Sequence, residues 1–238
     1  MAMKINLEEI AKQAQDALGE NLVSIVLYGS QARGDASDKS DVNLFFIVQE
    51  HAPENLQPLL KLLPEWMKQG VTAPVIFRED QVPRSLDTFA IEFADIAAAR
   101  RVLYGDDPFT GFTPDWETVR KELEREARQK RIALTRRWLA AGGHAKYYPQ
   151  IFADMVPGHL TLLRCTLLYQ KHILEPTTLE AALSELGRRE SWFKSDVWRK
   201  LLDSAKGKSK IPAAELDGLM KEYLDQAIAL VEALDRGM

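Results

Sequence analysis

At 238 residues, with 46% hydrophobic and 28% charged side chains, the chain has the make-up of a globular protein with room for one large domain or two modest ones. A net charge of −4 excludes a generally basic nucleic-acid-binding surface, and the single Cys165 excludes an internal disulfide framework. The first ten residues lack a signal-peptide apolar core, and no run approaches the roughly 20 apolar residues of a membrane span, so a cytoplasmic protein with no membrane association is expected.

In chain order, Leu7 to Leu18 is predicted as a helix, with Leu7, Ile10, Ala11, Ala14, Ala17 and Leu18 on one stripe. Val23–Tyr28 and Val42–Val48 are near-continuous apolar runs of the kind found in strands buried on both faces. Asn55 to Gln69 is predicted as one helix, with Pro58 in its first turn and Pro64 bending it further on. Val71–Phe77, Phe89–Ile96 and Arg101–Tyr104 are strand candidates, and Gly105-Asp106-Asp107-Pro108 is a turn signal. Strands alternating with helices imply an α/β layer around a mixed sheet. From Asp115, a candidate N-cap, the pattern turns helical throughout. The predicted helices start at Trp116 and stop at Gly142-Gly143, run from Lys146 to Leu174 with a break at Pro157-Gly158, then cover Leu179–Gly187, Asp196–Ala205 and Pro212–Leu234. The expected fold class is therefore α+β: a mixed-sheet α/β domain over residues 1–112 and an all-α helical bundle over 113–238.

Charge divides with the two parts. Up to Thr113 there are 10 basic and 17 acidic residues, a difference of −7; the remainder has 21 and 18, a difference of +3. Much of the bundle's positive charge lies on its first helix. There Arg120 and Arg125 alternate with Glu117, Glu122, Glu124 and Glu126 at ion-pair spacing, whereas the cations from Arg128 to Arg137 have no acids among them.

The stretch with chemical content joins the first two strands. Leu27-Tyr28-Gly29-Ser30 ends one of them, ten residues follow, and Asp41-Val42-Asn43 opens the next. Side chains two apart on a strand project to the same face, so Asp41 and Asn43 point together. Gly29 permits close backbone approach, and Ser30 supplies an N–H and a hydroxyl. A carboxylate at 41 is the hard oxygen donor a divalent cation prefers, whereas Asn43 offers only a neutral amide oxygen. The loop residues Asp35, Asp38 and Lys39 are expected to be solvated. Arg33 is expected either near phosphate or tied to Asp35.

Gly29-Ser30, the ten-residue interval and Asp41-Val42-Asn43, with Gln31-Ala32-Arg33-Gly34-Asp35 between them, resemble the signature of the DNA-polymerase-β-like nucleotidyltransferase superfamily. The resemblance implies a mixed sheet on which a triphosphate is gripped at the Gly-Ser turn while three carboxylates hold two magnesium ions. A nucleoside monophosphate then passes from NTP to an acceptor hydroxyl. Carried onto this chain, Gly29, Ser30 and Arg33 would bind the nucleotide, and Asp41 and Asn43 would be the catalytic pair. Magnesium, held weakly, would lie on Asp41, Asn43 and Glu92, with Glu79 as the other candidate for the third acid. That acid is expected on the next core strand, but Ala73-Pro74-Val75-Ile76-Phe77 contains none. The partners implied are NTP and an acceptor that is a small molecule, a protein or RNA. The alternative expectation is a catalytically impaired descendant that senses nucleotide or binds a protein.

Overall fold

The protein is described here by a computed structural model that places residues 6–36 and 40–237. The chain divides into two compact units. One runs to Asp115 and takes in Leu174–Thr178; the other runs from Trp116 to Ile173 and from Leu179 onward.

The first unit is built on a four-stranded sheet of β1 (Leu22–Tyr28), β2 (Asn43–Val48), β3 (Val75–Arg78) and β4 (Arg100–Gly105), in the order β3-β2-β1-β4. β1 is antiparallel to both β2 and β4, and β2 is parallel to β3, so the sheet is mixed. Both central strands are buried on both faces, which is why they are apolar almost without interruption. Ile25, Leu27, Leu44, Phe46 and Val48 join one core with Ile10, Ala11, Ala14 and Leu18 of α1 (Leu7–Leu18) and with Leu59 and Trp66 of α4 (Leu59–Lys68). On the other face, Val26, Phe45 and Ile47 join Phe93, Ile96 and Ala97 of α5 (Ala90–Ala98), and Phe109. Phe45 lies edge-on to Phe93, with ring centroids 6.1 Å apart.

The end of β4 is fixed by local chemistry. Gly105 has φ of +70°, and a Cβ there would stand 2.0 Å from the Val23 carbonyl oxygen, so only glycine fits. Arg100 forks onto both carboxylate oxygens of Asp107, with Nη2 2.7 Å from Oδ2, and also donates to the Ala97 carbonyl. Its guanidinium lies over the Phe109 ring.

Several predicted elements change. Phe89–Ile96 is not a strand but the start of α5. Its run of apolar residues has no turn signal to separate it from a buried helix, and only Glu92 and Asp95 of that helix escape burial. The single helix expected over Asn55–Gln69 is two, α3 (Pro53–Leu56) and α4, because the chain turns at Gln57-Pro58; Pro64 is carried inside α4. A further short helix, α2 (Ser30–Arg33), follows β1 directly.

The second unit consists of α6 (Trp116–Ala140), α7 (Tyr148–Lys171), α8 (Leu179–Arg189), α9 (Ser195–Ala205) and α10 (Ala213–Asp235). α7 runs unbroken through Pro157, where an interruption was expected. By composition α7 is also the one described helix apolar enough to cross a membrane, which the sequence pattern alone did not suggest. Its most apolar window is 67% buried, as in the core helix of a bundle. Cys165 is buried within it. The cations from Arg128 onward are not unopposed: Arg128 meets Glu124 and Asp235, Lys130 meets Glu126, and Arg137 pairs with Asp154. Sequence spacing along α6 could not show Asp154 and Asp235, which come from other helices.

Two of the buried polar side chains of the bundle, Gln226 and His159, differ in how they are partnered. Gln226 is satisfied on every side: its Oε1 accepts from Lys194 N (2.9 Å) and Trp198 Nε1 (3.1 Å), and its Nε2 donates to the Trp192 carbonyl (2.9 Å). His159, 1% exposed, has Nδ1 3.1 Å from the Met155 carbonyl and 2.8 Å from the Tyr223 hydroxyl, while its Nε2 has no hydrogen-bond partner. Protonation would add a charge and an unanswered N–H in an apolar interior, and burial pushes the imidazole down to about 4. A depressed histidine contributes fully above its unfolded value of about 6.5, and that contribution is lost as pH falls from 6.5 toward 4. Between pH 7.5 and pH 5, denaturant unfolding should show the native protein losing about 2 kcal/mol more stability than His159→Phe. Equal losses in the two proteins would contradict this account of His159.

Candidate functional site

The site follows from one register. β1 and β2 pair so that Tyr28 lies opposite Asn43. Gly29, the residue after Tyr28, therefore stands beside the start of β2. Its backbone, φ +78° and ψ −154°, occupies a region that is essentially glycine-only. A Cβ built there would lie 3.0 Å from Asn43 Nδ2, so the missing side chain is also what admits the amide. The chain then coils through α2. Arg33 N donates to the Gly29 carbonyl (3.0 Å), Gly34 N and Asp35 N both donate to the Ser30 carbonyl (3.0 and 3.2 Å), and Gly34 closes the turn in the left-handed region.

The second side of the site is set by alternation along β2. Asn43, Phe45 and Ile47 share a face, and Val42 is buried on the opposite one. Asp41 lies two residues before Asn43, ahead of β2, and is exposed. The neighbouring chain is tied on by Val42 N to the Gly70 carbonyl (2.9 Å) and Thr72 N to the Val42 carbonyl (3.0 Å), with Val42 bridging Val71 in parallel. This brings the Thr72 hydroxyl 3.1 Å from Asn43 Oδ1 and 3.2 Å from the Val42 carbonyl. A hydroxyl thus stands beside Asn43 where the third acid was sought on the adjoining strand. Sequence reasoning passed over Thr72 because it looked there for a carboxylate; its place at the head of the Val71–Phe77 run was the available signal.

The other expected residues are distributed as follows. Arg33 is nearly buried, with Nε 3.3 Å from Asp35 Oδ1 and Nη1 3.9 Å from Asp95 Oδ2, so its guanidinium lies between two carboxylates. Asp95 also lies near Tyr28: burial, and secondarily the Asp95 charge, push the Tyr28 hydroxyl above its ordinary value. Glu92 sits on the exposed side of α5, three residues before Asp95, on a helix rather than on the strand expected for it. Glu79 follows β3, whose last residue Arg78 pairs with Val48 at the opposite end of β2 from Asn43. It is therefore too far along the sheet to join Asp41. Asp38 and Lys39 lie outside the described residues.

This donor set does not fit a pair of magnesium ions. Asp41 is one carboxylate; Asn43 is neutral, and its oxygen is engaged by Thr72; Asp35 and Asp95 flank a guanidinium. Among the described residues, no group of three or more His, Cys, Asp or Glu is placed to hold a metal ion.

A family model described as "Nucleotidyltransferase domain" matches residues 7–96. The chain is 28% identical over 110 residues to the "Putative protein adenylyltransferase MJ1305" of Methanocaldococcus jannaschii, covering 43% of this chain and 72% of that protein. Among solved structures it resembles spectinomycin adenyltransferase AAD(9) from Enterococcus faecialis, crystallised with ATP and spectinomycin. The TM-score is 0.59 and the identity 12%, over 94% of this chain and 98% of that one, a likeness of fold.

Gly29 and Gly34 make a paired test of the turn. Gly29→Ala should destabilise the protein by about 1–3 kcal/mol in denaturant unfolding, through both its backbone region and the Asn43 amide. Gly34→Ala, where a Cβ meets nothing within 4 Å, should cost less. Equal effects would mean that the amide is not pressed against Gly29.

Proposed function

We propose, from the match of residues 7–96 to a nucleotidyltransferase domain of the DNA-polymerase-β-like superfamily, that this domain binds a nucleoside triphosphate at the Gly29–Ser30 turn and transfers its nucleoside monophosphate to a hydroxyl acceptor. The observation that carries this reading is the Tyr28–Asn43 pairing. It sets the side-chain-free Gly29, which Ser30 follows, against Asn43 at the polar start of β2. The names of the two relatives favour ATP as the nucleotide and an adenylyl group as the fragment transferred. In that reaction the acceptor oxygen bonds to the α-phosphorus, the bond to the β-phosphate breaks, and pyrophosphate leaves while the hydroxyl proton passes to solvent. Ser30 would orient the phosphates, and Asp41 would bear the one carboxylate charge at the point of attack. The acceptor class is a small molecule, a protein or RNA.

A second reading has its own observation. Asn43 and Thr72 leave the site without the carboxylate set that paired-ion phosphoryl transfer uses, which favours a descendant that binds nucleotide as a sensor. The two readings separate in one assay. ATP labelled at the α-phosphate, incubated with the protein and cell extract, should transfer label to an acceptor, and Asp41→Ala should abolish the transfer. A thermal upshift with ATP but no transfer under any condition would select the sensor; neither binding nor transfer would overturn both.

A further inference from the structure

We propose that Asn43 binds a phosphate oxygen of the nucleotide through its side-chain N–H groups, standing in for a metal-held carboxylate, so that the triphosphate is recognised here without paired divalent ions. The inference rests on the reading that the Gly29–Ser30 turn holds the phosphates, and it assigns a role to the residue at which this chain departs from the superfamily pattern.

Three observations carry it. The Asn43 amide is oriented with Oδ1 3.1 Å from the Thr72 hydroxyl, whose single proton is shared between that oxygen and the Val42 carbonyl, 3.2 Å away. The N–H2 is consequently turned toward Gly29, 3.0 Å from where a Cβ would be, and only the absence of that Cβ leaves it room. Finally, the arginine of the turn is already committed: Arg33 stands between Asp35 and Asp95, Thr72 is neutral and Asp41 adds a further carboxylate, so the N–H donors of Asn43 are the side-chain groups at the start of β2 suited to a phosphate oxygen.

The chemistry of the two side chains is opposite in kind. A carboxylate at position 43 would repel a triphosphate unless a cation lay between them. An amide presents two N–H donors and needs no cation, and a hydrogen bond to a charged phosphate oxygen is among the stronger kinds. Thr72 stands on the oxygen side of the amide, and Gly29 on its nitrogen side.

The test is titration calorimetry with ATP, once in magnesium and once in EDTA. The native protein should bind with dissociation constants within about threefold of each other in the two buffers, because the donors at Asn43 and Ser30 do not depend on metal. Asn43→Ala should weaken binding about tenfold in both buffers, the loss expected for one charge-assisted hydrogen bond. Asn43→Asp should weaken binding in EDTA and recover in magnesium. Loss of native binding in EDTA, or an Asn43→Ala effect confined to magnesium, would overturn the proposal by making Asn43 a metal ligand. The comparison of buffers on the native protein stands even if a variant misfolds. Failure of the native protein to bind ATP in either buffer would instead overturn the nucleotide reading itself.

Discussion

The antiparallel pairing of β1 with β2 is the constraint from which the site follows. It places Tyr28 opposite Asn43, and through them the Gly29 turn against the first residues of β2. The register has little freedom to slip. Phe45 and Ile47 fill one core, and Leu44, Phe46 and Val48 fill the other, so a shift of one residue would exchange the two sets. The side chain of Asn43 is thereby directed by the packing of residues further along the same strand. The polar contacts at one end of the sheet and the packing along its length are parts of one arrangement.

Asp41 is the carboxylate at the start of β2, where Asn43 is neutral. The superfamily pattern implies clustered carboxylates, which repel one another until cations arrive. Here an amide, a hydroxyl and a partnered arginine occupy the neighbourhood instead. Thr72 engages the oxygen of Asn43 and Gly29 makes space for its nitrogen, while Arg33 stands between Asp35 and Asp95. Such a set of side chains lacks the clustered carboxylates that a pair of cations requires.

Much of this was legible in the residues. α1 was marked by its apolar stripe and β1 and β2 by their uninterrupted burial, and the Gly-Ser and Asp-x-Asn elements sit where the spacing put them. What escaped was information that sequence spacing does not hold. α5 reads as a strand because a helix buried on nearly every side has no polar stripe to reveal its period. Pro157 reads as a break, yet α7 passes through it, where packing of a long core helix outweighs the loss of one backbone hydrogen bond. Thr72 was invisible as a partner of Asn43 because their contact depends on how β3 and the segment before it dock along β2. Glu79 was ruled out only when the parallel direction of β3 carried it to the far end of the sheet.

The most direct test is a crystal structure of the protein with a non-hydrolysable ATP analogue. The account predicts phosphate oxygens within hydrogen-bond reach of both Ser30 N and Asn43 Nδ2, with Asn43 Oδ1 still on the Thr72 hydroxyl. An analogue bound away from the Gly29–Ser30 turn, or a cation bonded to Asn43 Oδ1, would contradict it.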